Sequence, residues 1–116
     1  MGKFADNLYL RFNNQSRRWV TTKPFKYTTK EGIKVEVPKG YSTDLDSVPR
    51  VPFVHAWLKG RTTKSAIIHD WLYDNKHDRA EADKIFLEAM KDEGVPAWRR
   101  MPIYLAVRSF GWLAYK

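Results

Sequence analysis

The chain has 116 residues, of which 43% are hydrophobic and 15% aromatic, so it predicts a single domain, 1–116, with a modest core. It contains no cysteine, which excludes disulfides, thiol catalysis and cysteine-ligated zinc. Its first residues lack the apolar segment of a signal peptide, and no apolar run approaches about 18 residues. We therefore expect neither a signal peptide nor a membrane span.

The net charge of +8 is distributed unevenly. Residues 1–60 carry 11 Lys or Arg against 5 Asp or Glu, residues 61–97 carry 6 against 8, and residues 98–116 carry 4 against none. Basic segments of this kind favour an anionic membrane surface, an acidic protein partner or nucleic acid. The same charge would also keep a small domain soluble, because it holds the protein away from its isoelectric point. Both interpretations stay open.

Residues 1–40 predict mainly β-structure. Side chains alternate between apolar and polar over 7–12, and extended structure resumes at 19–22. The segments 25–29 and 33–37 carry β-branched or aromatic residues at alternate positions and predict a hairpin, with Gly32 at a turn position that needs positive φ. We expect an antiparallel sheet that covers the helices of the second half.

Residues 41–63 have no helical or strand period, and their prolines predict an ordered loop. Its carboxylates, Asp44 and Asp46, are candidate metal ligands, whereas Ser47 and Arg50 are candidates for binding an anion or for a structural role. Helix capping and Asx-turns explain Thr43, Asp44 and Ser47 as simply.

Residues 64–116 predict about three helices. The first covers about 65–73, with Thr62 or Thr63 as its cap, and the second covers about 79–90. Because the link between them is short and polar, the two should be antiparallel neighbours. The third follows Gly94, a C-cap signal, and should hold Pro102 in its first turn. The fold class is therefore α+β.

A titratable group of side chains marks the first helix pair. His69 and Tyr73 are four residues apart and so share a helix face, Asp70 lies beside His69, and Asp83 on the second helix is within reach of His69. Such groups on an apolar helix need partners or a task. Arg79 and Arg108 are candidates for an anion or a structural role, and Arg108 points either at this acidic region or at water.

The spaced motifs resemble a family of small bacteriophage and prophage proteins that contain a domain of unknown function. They read GYSTDLDSVPR at 40–50, HDWLY at 69–73, RAEADKIF at 79–86 and AVR at 106–108. The resemblance implies a phage origin, synthesis in the host bacterial cytoplasm, and either incorporation into the virion beside other phage structural proteins or a host-directed role. It implies no particular activity.

The helix pair is also similar to that of calcium-dependent secreted phospholipases, particularly the disulfide-free enzymes of parvovirus capsids. This likeness implies that His69 is a general base, Asp70 a calcium ligand, and Tyr73 with Asp83 the pair that orients the histidine. Calcium is thus the first cofactor to expect. The glycine-rich calcium loop of those enzymes is lacking, so a site of Asp70 with Asp44 or Asp46 would be built differently, and another divalent cation stays open.

Three hypotheses follow. The first is a metal-assisted ester or lipid hydrolase acting through the His69 group. The second is a noncatalytic phage component in which the same residues form a structural hydrogen-bond network. The third, nucleic-acid binding through the C-terminal Trp and Arg residues, is less favoured, because the chain has no known nucleic-acid motif.

Overall fold

The computed structural model describes residues 3–4, 7–16, 18–43, 63–110 and 112, with the side chains of Lys3, Thr63 and Phe110 left out. Most of the predicted loop is therefore not covered. The candidate residues Asp44, Asp46, Ser47 and Arg50 lie outside the described residues, as does Thr62.

The N-terminal part forms antiparallel β-structure, as predicted, but in two small sheets. Their strand orders are β1-β4-β5 and β2-β3-β6. Pro24, which cannot donate to a strand ladder, lies between β3 and β4. The strands are β1 Lys3–Phe4, β2 Leu10–Asn13, β3 Arg18–Thr21, β4 Phe25–Thr28, β5 Lys34–Val37 and β6 Ser42–Thr43.

The predicted hairpin is confirmed as β4 and β5. Phe25 pairs with Val37 and Tyr27 with Val35, so alternate side chains bury one face. Gly32 has a φ of +91°, as its turn position requires. The expectation that the loop begins at residue 41 is wrong at its start, because Ser42 and Thr43 pair with β3.

Three helices complete the described fold: α1 Thr63–Asp74, α2 Arg79–Asp92 and α3 Ala97–Phe110. Helices α1 and α2 are antiparallel neighbours, because Glu93, just after α2, contacts the start of α1. Asp78 caps α2 by accepting from Glu81 N at 3.0 Å, and Gly94 follows it with a φ of +95°. The α+β prediction is confirmed.

The helix prediction is wrong about the position of Pro102. Helix α3 begins five residues before Pro102, which leaves the Trp98 carbonyl without its usual N–H partner; Trp98 is largely exposed, so water can satisfy that carbonyl. Of the two predicted caps of α1, Thr63 is the first residue of the helix and Thr62 lies outside the described residues. The carboxylate of Glu93 accepts from the first-turn amides of Lys64 and Ser65.

Helix α2 forms part of both apolar clusters. One of its sides packs with α1 and the β4–β5 hairpin through Ala82, Ile85 and Ala89, and the other packs with α3 through Phe86 and Met90. Helix α2 is thus the element on which the residues of the candidate site converge.

Among the described residues, no helix is long and apolar enough to cross a membrane.

Candidate functional site

Asp83 of α2 is at the centre of a buried polar cluster. Its Oδ1 is 2.6 Å from His69 Nε2 and 2.5 Å from the Tyr73 hydroxyl, and its Oδ2 is 2.8 Å from Arg108 Nη1. Asp83 and His69 are both 0% exposed. We call His69, Tyr73, Asp83, Arg79 and Arg108 the Asp83 cluster.

The local sequence explains how the first two members meet Asp83. His69 and Tyr73 lie four residues apart on α1 and project from the same face. The connection between α1 and α2 turns the chain back within four residues, with Lys76 at a φ of +57°, and this brings Asp83 alongside. The structure therefore brings together the three residues whose proximity the sequence predicted.

The two arginines approach the other side of the carboxylate. Arg79 Nη1 is 3.6 Å from Asp83 Oδ2, and the Arg79 guanidinium donates to the carbonyls of Val107 and Arg108, each at 3.3 Å. Cations near the last carbonyls of a helix interact favourably with its dipole. The sequence left two alternatives for Arg108, the acidic region or water, and the structure shows the first.

These contacts set the charge state of the cluster. Burial opposes the charged form of Asp83, but hydrogen bonds from His69 and Tyr73, together with Arg108, outweigh it and hold its pKa below the usual value. Burial lowers the pKa of His69, although Asp83 acts in the opposite direction. Burial and the neighbouring Asp83 raise the pKa of Tyr73. At neutral pH, Asp83 is thus the one charged member of this triad.

The tautomer of His69 follows from that charge state. An ionised carboxylate can only accept hydrogen bonds, so the neutral imidazole must carry its proton on Nε2. Nδ1 is then the basic ring nitrogen. The ring centroid lies 4.5 Å from that of Phe86 in a stacked arrangement and 4.1 Å from that of Tyr73. The imidazole is consequently held in both orientation and protonation.

Asp70 faces a different neighbour. It is 4% exposed and accepts a hydrogen bond from the Thr43 hydroxyl of β6. One turn later, Asp74 accepts from the Tyr41 hydroxyl, and the Tyr41 ring contacts Trp71 edge-on with centroids 5.1 Å apart. Helix α1 therefore presents His69 to α2 and Asp70 to the strand that leads into residue 44.

A family model covers the helix pair and four of the six described strands. The model described as protein of unknown function (DUF1353) matches residues 19–107, from β3 through most of α3. The chain belongs to the DUF1353 family. The match includes Thr43, Asp70 and four members of the Asp83 cluster, while Arg108 is the residue immediately after it.

Two proteins of Sinorhizobium fredii are similar to the chain. Uncharacterized protein y4jT is 29% identical over 90 residues, which are 75% of this chain and 27% of that protein. Uncharacterized protein y4iH is 30% identical over 91 residues, 75% of this chain and 38% of that protein. The chain thus spans well under half the length of these relatives. No solved structure matches it.

The described part of this DUF1353 chain contains no group of three or more His, Cys, Asp or Glu side chains arranged to hold a metal ion. Asp70 is its candidate oxygen donor, and the other predicted ligands, Asp44 and Asp46, follow Thr43 in the stretch outside the described residues. The structure thus describes the part of the predicted site at His69 and Asp70, whereas Asp44 and Asp46 are assigned to it from the sequence.

Sequence reasoning missed two contacts around this site. It treated Thr43 as a capping residue, whereas its hydroxyl binds Asp70, and it had no partner for Glu93, which holds the start of α1. Both pairs are more than 25 residues apart along the chain. Helical periodicity reports neighbours three or four residues apart, so it contained no signal for either contact.

Proposed function

We propose that this DUF1353 chain is an ester or lipid hydrolase, assisted by a divalent cation, in which His69 is the general base. The observation that carries the proposal is the 2.6 Å contact of Asp83 Oδ1 with His69 Nε2 inside the protein. A carboxylate that fixes one imidazole nitrogen makes the other the basic nitrogen, which is the one that would accept a proton from water.

Each member of the proposed site has a separate role. Asp83 orients the imidazole and stabilises the imidazolium that forms when His69 accepts a proton, and Tyr73 holds the carboxylate from the same side through its 2.5 Å hydrogen bond. Arg108 and Arg79 are positioning residues that act on Asp83 Oδ2. Water attacks the ester carbonyl as its proton passes to Nδ1, and the alkoxide leaves with a proton returned by His69.

Oxygen donors would hold the proposed cation. Asp70 supplies a carboxylate next to the base, and the chain runs directly from its partner Thr43 into Asp44 and Asp46. An all-oxygen donor set suits a hard cation, so calcium is the first expectation. A cation bound there would supply stabilisation of the negative charge that develops on the ester oxygen.

Access to His69 is a requirement of this proposal. Its side chain has no exposed surface, so water and an ester must reach Nδ1 through a change in conformation. Docking of substrate or cation beside Asp70 is the event proposed to cause that change. Hydrogen exchange at α1 should therefore increase when both are present.

Calorimetric titration of metal-free protein with calcium, then magnesium, manganese and zinc, tests the cation directly. Binding by the wild type that Asp70→Asn abolishes while the protein stays folded supports the proposal. Asp74→Asn, four residues later on the same helix, is the matched control and should bind the cation. Ester and phospholipid assays should then show activity that His69→Gln removes. If no cation binds and no ester is cleaved, the proposal is wrong.

The Asp83 cluster also favours a second candidate function. The carboxylate of Asp83 contacts groups from all three helices, which is what a structural network in a noncatalytic protein requires. In that case His69→Gln would change stability and leave any partner binding intact. Changes at Arg99 or exposed Trp98 would instead abolish assembly with that partner.

A bacteriophage or prophage origin is part of both candidates and rests on the motif resemblance. It places the protein in the host bacterial cytoplasm on synthesis, and a virion component would assemble with other phage structural proteins. Mass spectrometry of purified virions tests incorporation. The location of the coding gene among phage structural genes, or far from any, tests the origin itself.

A further inference from the structure

One face of α3 is apolar and open to solvent. Trp98, Met101 and Leu105 are 69%, 41% and 59% exposed, and their spacings of three and four place them on a single stripe. Trp112, seven residues after Leu105, is 59% exposed. From Trp98 to Leu105 the stripe runs roughly 10 Å along the helix.

The opposite face of α3 is also apolar, but it is buried. Ile103 and Val107 are fully buried and pack with Phe86 and Met90 of α2. A surface helix of a globular protein carries polar side chains opposite its buried stripe, whereas a helix apolar on both faces is usually covered on both. Contiguous exposed apolar side chains of this kind mark an interaction surface.

The charge around this stripe selects among occupants. Residues 97–116 contain four basic residues and no acidic one, and of the four Arg108 is paired with Asp83 of α2. Arg99 lies against the Trp98 ring, with its guanidinium carbon 5.9 Å from the centroid, whereas Arg100 donates to the Val95 carbonyl at 3.0 Å. Tryptophan beside arginine on an amphipathic helix is typical of segments that lie in the boundary between lipid headgroups and acyl chains.

We propose that this α3 face docks on an anionic lipid bilayer. Trp98, Met101 and Leu105 enter the boundary region, and Arg99, which lies against the Trp98 ring, meets the lipid phosphates. A second copy of the chain fits less well, because a twofold contact through this face would bring two basic segments with no acidic residue against each other. Docking goes beyond the proposed hydrolysis and does not require it.

Sedimentation with vesicles tests the docking. Vesicles of ether-linked phosphatidylglycerol are compared with vesicles of ether-linked phosphatidylcholine, since ether lipids have no ester to cleave. The wild type should sediment with the first and remain in solution with the second. The double variant Trp98→Ala/Leu105→Ala, whose folding is checked by urea unfolding, should bind about tenfold more weakly or worse.

Two control variants show whether binding depends on the α3 face in particular. Phe12→Ala removes an aromatic side chain that is 41% exposed on β2 and should bind as the wild type does. His69→Gln should also bind normally, so a failure of the hydrolase proposal leaves this result intact.

Three outcomes would overturn the proposal. One is wild-type protein that stays in solution with phosphatidylglycerol vesicles. Another is a double variant that binds them as tightly as the wild type. The third is concentration-dependent dimerisation, lost in the double variant, without any vesicle binding, which would assign the face to a second copy.

Discussion

Arg108 Nη1 lies 2.8 Å from Asp83 Oδ2, on the opposite side of the carboxylate from His69. One side chain of α2 thus binds α1 through one oxygen and α3 through the other. Helix α3, with its exposed apolar stripe, is thereby connected to the histidine by two hydrogen bonds. The same carboxylate serves the proposed base and the packing of the helices.

The first prediction concerns the charge on Asp83. Asp83→Asn preserves the shape but removes the charge that Arg108 and His69 contact inside the protein, so the free energy of unfolding should fall by about 2–4 kcal/mol. Urea unfolding measures it. Glu36→Gln, in the exposed pair with Lys26 at 3.7 Å, is the matched control and should change stability by less than about 0.5 kcal/mol.

Tyr73→Phe tests the same carboxylate with a smaller change, in case Asp83→Asn does not fold. It removes one hydrogen bond to a charged acceptor and should lower the free energy of unfolding by roughly 1.5–3 kcal/mol. Equal stability of wild type and both variants would show that the Asp83 contacts do not hold the helices together.

The second prediction concerns pH. Because the pKa of His69 is lowered in the folded protein, the unfolded chain takes up a proton near pH 6.5 that the folded chain does not. Stability should therefore be full above the unfolded pKa and fall below it, by at most about 1.4 kcal/mol per pH unit. The lowered pKa of Asp83 adds a further loss only at more acidic pH.

Urea unfolding at pH 7.5, 6.5 and 5.5 measures this slope. His69→Gln should flatten it over that range. A wild type equally stable at pH 7.5 and 5.5 would contradict the neutral, buried state of His69.

The sequence was sufficient for the helix pair and for the contact of His69 with Asp83. Both follow from local rules: apolar residues at spacings of three and four define the helices, and a short polar connection forces them to be antiparallel. The spacing of four between His69 and Tyr73 then places both side chains on one face. Such rules determine which face of a helix or strand a side chain occupies, and which element packs next to that helix or strand.

Contacts between distant elements were not predictable in the same way. The division into two sheets depends on β6 pairing with β3 across more than 20 residues, as in Trp19 with Thr43. The start of α3 before Pro102 depends on Pro96, whose carbonyl accepts from the amides of Arg99 and Arg100. Proline is most favoured in the first turn of a helix. The prediction followed that preference and gave too little weight to the helical signal of the residues before Pro102.

The third prediction concerns Tyr27, which connects the hairpin to α2. Its hydroxyl is 2.5 Å from Asp92 Oδ2 and 3.1 Å from Glu88 Oε2, and burial followed by the Asp92 contact raises its pKa. Tyr27→Phe leaves two carboxylates one turn apart without this donor, so the free energy of unfolding should fall by about 1.5–3 kcal/mol. Tyr104→Phe on α3 is the control and should stay within about 0.5 kcal/mol of the wild type.

The contrary result for Tyr27 is also informative. If Tyr27→Phe unfolds at the same urea concentration as the wild type, the carboxylates of Glu88 and Asp92 are equally stable in water. The hairpin would then be held on α2 by apolar packing and by the hydrogen bond from the Lys30 amide to Glu88.

The last prediction concerns the start of α1. Glu93 Oε2 accepts from Lys64 N at 3.1 Å, and Oε1 accepts from Ser65 N at 3.1 Å and from the Ser65 hydroxyl at 2.7 Å. A negative charge at this end also favours the helix dipole. Glu93→Ala should therefore lower the free energy of unfolding by about 1–2 kcal/mol, and Glu93→Gln by less, since its amide oxygen still accepts a hydrogen bond.

Hydrogen exchange locates the effect. The amides of Lys64 and Ser65 should exchange faster in Glu93→Ala, while those of α3 keep their protection, because the side-chain contacts of Glu93 within the described residues are all to the first turn of α1. Glu31→Ala, which removes an exposed carboxylate, should leave both helices unchanged. Unaltered exchange at Lys64 and Ser65 in Glu93→Ala would mean that water replaces the carboxylate without loss, and that α1, with His69 and Asp70, is held in place by its apolar face.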